Sequence, residues 1–463
     1  MIKIKKYLIL MASIMTISLV QQAGTYKVSA VENSTNKNIV RVQGLNRLKT
    51  SIAIADKLDN STLNNIVLAY AYDFPDALSG STLAKKLNAP LLLIGKLEDS
   101  KDIIDYISKY LVENGNVYIL GGKGVVESKV EASLLSHGYK VTRLAGQNRI
   151  ETNNAIIDQM NLATGTPVFI ASSDGFADAL SASGIAALKG YPILLTDKNS
   201  LDPLTINQLK KILPEKIYIV GGTGVISAAV ENNLKELVPK GAIIRLAGNN
   251  RYETSMNVYK EFNEANKNIV LTSGKDFPDA LSGSLLAAKN NTSIVLADDD
   301  NFDTQKIILD QNGIENYYVL GGTGALSEDI EASINFDAAE ETDNIKTIMT
   351  QSMTDFSSGN IDAYMSIFDM KDKDYEETKK VLKETLDFYA QNNISYTVSL
   401  DSMQVDSINH KEAIISTVES AKIKSNNTGN WQTITSKSNY HLRKEAGKWK
   451  IYNSKSFLDE LNN

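Results

Sequence analysis

With 43% hydrophobic and 22% charged residues over 463 positions, the chain has the balance of a soluble globular protein and room for several domains. A net charge of −7 and a pI near 5.3 exclude nucleic acid as the main partner, and exclude electrostatic adhesion of the whole chain to an anionic surface. No cysteine is present, which removes disulfides, thiol catalysis and zinc–thiolate sites.

The chain opens on a targeting pattern. Lys3, Lys5 and Lys6 precede a largely apolar run from Tyr7 to Val20, and Val28-Ser-Ala30 offers small residues for cleavage after Ala30. The run is shorter than the roughly 20 residues a bilayer span needs. Residues 1–30 therefore read as a cleaved secretory signal, and no later segment looks transmembrane, so no membrane contact is expected after cleavage. An exported chain without disulfides relies on core burial, which modules of about 100 residues can supply.

Three signatures then recur in one order. Arg41-Val-Gln-Gly-Leu-Asn-Arg47 returns as Arg143-Leu-Ala-Gly-Gln-Asn-Arg149 and Arg245-Leu-Ala-Gly-Asn-Asn-Arg251, with the first arginines 102 residues apart both times. Asp73-Phe-Pro-Asp-Ala-Leu-Ser79 returns as Gly175-Phe-Ala-Asp-Ala-Leu-Ser181 and Asp276-Phe-Pro-Asp-Ala-Leu-Ser282. Gly121-Gly122-Lys-Gly124 returns as Gly221-Gly222-Thr-Gly224 and Gly321-Gly322-Thr-Gly324. The chain is an internal triplication, divided as residues 31–138, 139–240 and 241–336.

The middle copy shows the element order. Strands are predicted over Val141–Ala145, Val168–Ser172, Pro192–Leu195 and Lys216–Val220, each followed by a helix: Glu151–Met160, Asp178–Leu188, Pro203–Leu213 and Ala228–Leu237. Apolar strands without polar alternation, each leading into a helix, make a parallel sheet covered on both faces. That is a Rossmann- or flavodoxin-like α/β module. All three signatures lie where a strand ends and a helix begins, so they share the carboxyl rim where such sheets bind ligands.

Each signature has a structural and a functional reading. Asp76, Asp178 and Asp279 suit helix N-caps as well as a binding rim. The glycines suit a tight strand-to-helix turn, and Ser128-Lys-Val-Glu131 behind the first set fits a capping box. That loop lacks both the phosphate-loop Gly-Lys-Ser/Thr and the dinucleotide spacing, so no nucleotide cofactor is expected. Arg47, Arg149 and Arg251 suit internal ion pairs with the rim aspartates and equally a bidentate grip on an anionic ligand. Asp298-Asp-Asp300 reads as a solvated loop, because the spacing of a calcium loop is missing. No metal site is expected.

These motifs resemble the type-2 clostridial cell-wall-binding repeat over about Ile39 to Phe336. The resemblance implies three modules closed into a pseudo-threefold trimer, and non-covalent anchoring to an anionic cell-wall polysaccharide, beside or within a layer of surface-layer proteins. It also implies a polymer-binding segment, here Pro90-Leu91-Leu92-Leu93, Pro192-Ile193-Leu194-Leu195 and, without the proline, Ser293-Ile294-Val295-Leu296. Those residues read equally as a central strand.

Beyond Phe336 the pattern changes. Residues 337–343 read as an acidic linker and 344–463 as a second fold. Helices are predicted over Ile345–Met353, Ile361–Phe368 and Tyr375–Tyr389. Strands follow over Ser395–Leu400, Glu412–Lys424, Trp431–Arg443 and Lys448–Asn453, with a hairpin turn at Asn426–Gly429. Helices followed by a curved antiparallel sheet resemble the α+β NTF2-like cone, which implies a pocket lined by Tyr364, Phe368, Tyr440 and Trp449. Those aromatics serve a core equally well.

Catalytic signals are sparse. His137, His410 and His441 stand in no metal-ligand or triad spacing. Asp73 and Asp76 mimic a glycosidase pair, but the second copy has Gly175 where Asp73 stands. The expectation is a non-catalytic wall-anchored protein that displays its tail, with a wall-anchored enzyme as the alternative.

Overall fold

The computed structural model describes residues 37–58, 62–73, 79–175, 177–263, 266–369, 375–425 and 429–452. The expected signal, Asp76 and residues 426–428 of the expected hairpin turn lie outside them. The described residues form two compact units, one ending at Ile334 and one beginning at Asn335.

Among the described residues, the first unit holds twelve strands: β1 (Asn38–Val42), β2 (Leu63–Tyr70), β3 (Leu91–Ile94), β4 (Leu111–Leu120), β5 (Lys140–Leu144), β6 (Val168–Ser172), β7 (Ile193–Thr196), β8 (Lys216–Val220), β9 (Ala242–Leu246), β10 (Asn268–Ser273), β11 (Ile294–Ala297) and β12 (Asn316–Leu320). They form three four-stranded parallel sheets, ordered β3-β2-β4-β5, β7-β6-β8-β9 and β11-β10-β12-β1. The uninterrupted apolar runs are buried because helices cover both faces.

Strand ownership crosses the sequence repeats. β5 opens the second copy yet pairs with β4 of the first, Leu144 opposite Leu120. β9 opens the third copy and pairs with β8 of the second. β1 closes the ring by pairing with β12, Asn38 opposite Asn316 and Val42 opposite Leu320. Each sheet takes its fourth strand from the next copy.

At the pseudo-threefold centre stand the helices Gly80–Lys86, Ala177–Lys189 and Pro278–Lys289, each touching the other two. Ala, Ser and Gly dominate them because helices this close leave no room for larger side chains. A Cβ on Gly184 would lie 2.9 Å from the Ala287 Cβ. A Cβ on Gly80 or Gly283 would lie 2.4 or 2.1 Å from Leu120 or Leu320, and the second copy places Ala182 and the smaller Val220 at these positions. Two buried hydroxyls of the first copy bond backbone of the second: Ser79 donates to the Ile193 carbonyl at 2.7 Å and Thr82 to the Tyr191 carbonyl at 3.1 Å.

The second unit has helices Ala338–Ser357, Ile361–Met365 and Tyr375–Gln391, then β13 (Ile394–Ile408), β14 (Glu412–Ser425), β15 (Trp431–Glu445) and β16 (Lys448–Ile451) in one antiparallel sheet. Bulges between Leu400 and Ser402 and between Val405 and Ser407 bend β13. The acidic stretch expected as a linker is instead the first turns of the Ala338–Ser357 helix, with Asp337 as its N-cap. Glu341 explains why: it accepts from the Trp449 indole at 2.5 Å and pairs with Lys444 at 2.6 Å.

Gly184→Val should force the central helices apart and cost about 1–3 kcal/mol, read as a lower midpoint in chemical denaturation. An unchanged midpoint would mean that the helices are not in close contact.

Candidate functional site

The two arginines of each signature do different work. The first is consumed by the fold. Arg143 on β5 donates to the Gly121 carbonyl at 2.8 Å and pairs with Glu131 at 3.0 Å. Arg245 does the same with Gly221 at 2.7 Å and Glu231 at 3.0 Å, and Arg41 with Gly321 at 3.0 Å and Glu331 at 2.7 Å. All three side chains are 11–17% exposed and each reaches into the preceding copy, Arg41 reaching the last. Lys235 and then Arg245 hold the Glu231 carboxyl below its usual range. The capping box expected at Ser128–Glu131 does not form, since Glu131 turns to Arg143.

The rest of the signature builds the helix start behind it. Asn46, Asn148 and Asn250 are the N-caps, accepting from the N–H three residues on at 2.9–3.0 Å. Sequence reasoning missed these caps, although an asparagine before an apolar-periodic run was their signal. Thr50, Thr152 and Thr254 accept from the N–H of Gly44, Gly146 and Gly248. A Cβ on any of those glycines would fall within 2.3 Å of the following helix turn.

The second arginine faces the rim. Arg149 donates to the Ser173 carbonyl and Arg251 to the Gly274 carbonyl. Arg47 donates to the Ala71 carbonyl at 2.8 Å and lies 3.3 Å from Asp276 of the third copy. Asp178 and Asp279 lie in the first turns of their helices and are not the N-caps expected. Asp178 bonds Thr254, and burial outweighs this bond and Arg251 to raise its pKa. Burial and then Asp276 push Asp279 up to about 6, against the pull of Arg47.

Glycine loop and aspartate meet as the sequence suggested. Gly221 and Gly321 have φ of 113° and 93°, and a Cβ there would lie 2.6 and 2.3 Å from the carboxylates of Asp178 and Asp279. Gly121 shares the conformation, at φ 104°. Gly124, Gly222, Gly224 and Gly324 have open space around them, whereas Gly122 and Gly322 face the Gly146 carbonyl and the Gln43 side chain.

The expected polymer segment is core. Pro90 to Leu93, Pro192 to Leu195 and Ile294 to Leu296 are all buried, so their side chains offer polymer no surface. Nor do they form a central strand: β3, β7 and β11 are sheet edges. Helices close these edges, with Ser51, Asn153 and Ser255 accepting from the N–H of Leu93, Leu195 and Leu296. In the acidic loop, Asp298 accepts from the Asn301 backbone and Asp299 from Ser327, so these carboxylates serve local turns.

Three stretches, residues 41–131, 143–231 and 245–331, match the model described as Cell wall binding domain 2 (CWB2), and together they cover more than half of the chain. The chain belongs to the CWB2 family. It is a protein of the cell wall or cell surface. It is 32% identical over 314 residues to "N-acetylmuramoyl-L-alanine amidase LytC" of Bacillus subtilis (strain 168), covering 66% of this chain and 60% of that protein. It is 31% identical over 315 residues to "Amidase enhancer" of the same organism, covering 67% and 42%. The chain thus spans less than two thirds of the length of these relatives. Among solved structures, Cwp8 from Clostridium difficile aligns over 64% of this chain and 52% of that one, with TM-score 0.57 and 27% identity. Cwp6 from the same organism aligns over 65% and 48%, with TM-score 0.56, and at 22% identity shows the fold alone.

Outside the CWB2 unit, residues 347–459 match the model described as "Anti-sigma-I factor RsgI9, C-terminal domain". Tyr364, Tyr440 and Trp449 are buried there, and Phe368 joins its two apolar clusters. Between those clusters runs a polar strip that sequence reasoning missed. Thr417 and Glu419 on β14 face Ser438 and Ser436 on β15. Glu419 is 0% exposed and accepts from Thr417 at 2.8 Å, and its Oε2 has no hydrogen-bond partner among the described residues. Burial raises its pKa, with Thr417 and Tyr440 bonding to it.

Arg143→Ala should cost the CWB2 unit about 3 kcal/mol, because Glu131 and the Gly121 carbonyl lose their partner in a half-buried joint. Lys101→Ala, which breaks an exposed pair with Asp105, should leave the thermal midpoint in place. Equal effects would refute a special role for the joint.

Asp279 predicts a pH trend. Its folded pKa of about 6 lies above the ordinary 3.8, so the stability of the protonated form is fully present below 3.8 and lost as pH rises through about 6. Asp279→Asn should therefore flatten thermal stability between pH 4 and 7, an effect of up to about 3 kcal/mol. A slope unchanged by the substitution would count against it.

Proposed function

We propose that the CWB2 unit anchors the chain non-covalently to an anionic wall polysaccharide, and that the tail is displayed outward for a ligand or partner. Residues 1–30 would serve export, and surface-layer proteins would be neighbours rather than ligands. What carries this reading is the ring of second arginines. The first arginine of each signature is spent on the fold, whereas Arg47, Arg149 and Arg251 lie at the rim, where each donates to a loop carbonyl. The planar, always-charged guanidinium suits phosphate or carboxylate groups along a polymer.

Glu419 supports a second reading, in which the tail acts on a small molecule or wall fragment. A buried carboxyl with an open acceptor, flanked by hydroxyls, suits proton transfer. The relatives named as an amidase and an amidase enhancer leave a wall-related enzymatic role open, but the chain spans only 60% and 42% of them. Their activities are not carried over.

One experiment addresses both. The full chain should be retained on purified walls and released when the anionic polymer is stripped by mild acid. Equal retention on stripped walls would sink the anchoring reading. New soluble wall fragments in the supernatant, absent with Glu419→Gln, would move the tail to the enzymatic reading.

A further inference from the structure

The three rims share a scaffold and differ in surface. At the seam between the third and first copies, Tyr72 stands where the second copy has Asp174 and the third has Lys275. Leu45 stands where they have Gln147 and Asn249. Leu45 is 92% exposed and Tyr72 is 54% exposed, though large apolar side chains gain most from burial.

Tyr72 is held rather than loose. The Arg47 guanidinium lies 4.9 Å from the Tyr72 ring centroid and 6.0 Å from that of Phe277. Tyr70 meets the ring edge-on at 5.6 Å. A Cβ on Gly95 would come 3.2 Å from the ring, so the absent side chain leaves it space. Beside it, Arg47 is oriented by the Ala71 carbonyl and by Asp276. The braced, half-open Tyr72 ring thus lies next to an oriented guanidinium–carboxylate pair, at a position where the other two copies carry Asp174 and Lys275.

That chemistry fits a sugar. The apolar C–H face of a pyranose covers an aromatic ring, while the planar fork of an arginine and the carboxylate oxygens bond adjacent hydroxyls or an acidic substituent. We propose that this third-to-first seam is the principal subsite for the wall polysaccharide, with Tyr72 as the platform for one sugar ring, Arg47 as the polar grip and Leu45 as an apolar margin. The proposal rests on the anchoring reading and names one of three rims for it. The other two, with Asp174 and Lys275 in place of the ring, keep their arginines as weaker contacts.

Retention of the full chain on purified, polymer-bearing walls tests this. Tyr72→Asp, which copies the second rim, should weaken retention about tenfold, and Tyr72→Phe should keep it. Leu45→Gln, at a position too exposed to affect folding, should weaken it in the same direction. Asp174→Ala and Lys275→Ala should change retention less than about twofold. Unchanged retention of Tyr72→Asp and Leu45→Gln, with the wild-type chain retained, would overturn the subsite alone. So would equal losses at all three rims. Failure of the wild-type chain to be retained would instead overturn the anchoring reading beneath it.

Discussion

A guanidinium buried across each repeat boundary governs the anchor unit. Arg41, Arg143 and Arg245 each reach back to a glutamate and a glycine carbonyl of the preceding copy, and Arg41 does so across 290 residues. Each also sits on the strand that completes the preceding sheet. Pairing and hydrogen bonding are what make such a charge tolerable out of water, and a strand docked in another register would leave it unpaired. Strand register and charge satisfaction therefore stand or fall together. Since the first copy supplies the last joint, the unit has no terminal module with an open sheet edge there.

Much of the scaffold was legible, for physical reasons. Continuous apolar runs leading into helices specify covered parallel sheets, and the middle-copy strands lie within a residue of their expected places. Convergence of Asp178 with Gly221, and of Asp279 with Gly321, followed from the rule that strand-to-helix turns share one rim. Ownership of β1, β5 and β9 was not legible, because a five-residue apolar strand fits either neighbouring sheet. The partners of Arg41 and Glu341 lie 290 and 108 residues away, beyond any local pattern. The acidic run at 337–343 looked like a linker only because Trp449 and Lys444, which Glu341 serves, stand at the far end of the tail.

The candidate site was legible as an address and not as a division of labour. Sequence placed six arginines at one rim and treated the second of each pair as the open question. Geometry shows that the first of each pair is structural, along with the asparagine caps and the threonines. It also removes Pro90 to Leu93 and their counterparts from any surface role, because a fully apolar edge strand needs cover as much as a central one.

This division explains how a repeated scaffold can carry an unrepeated site. The first arginine, the glycine, the asparagine and the threonine of Arg-x-x-Gly-x-Asn-Arg-x-x-Thr each have a defined structural partner within the ring, so substitution at those four costs stability before it alters binding. The variable positions carry no such load. Leu45 against Gln147 and Asn249, and Tyr72 against Asp174 and Lys275, change what the rim presents while the clamp, cap and glycine approach stay intact. Threefold symmetry then serves the fold, and departure from it is where chemistry specific to one seam resides. On the proposed reading, a polymer crossing the rim would meet the Tyr72 platform at the seam the first strand closes.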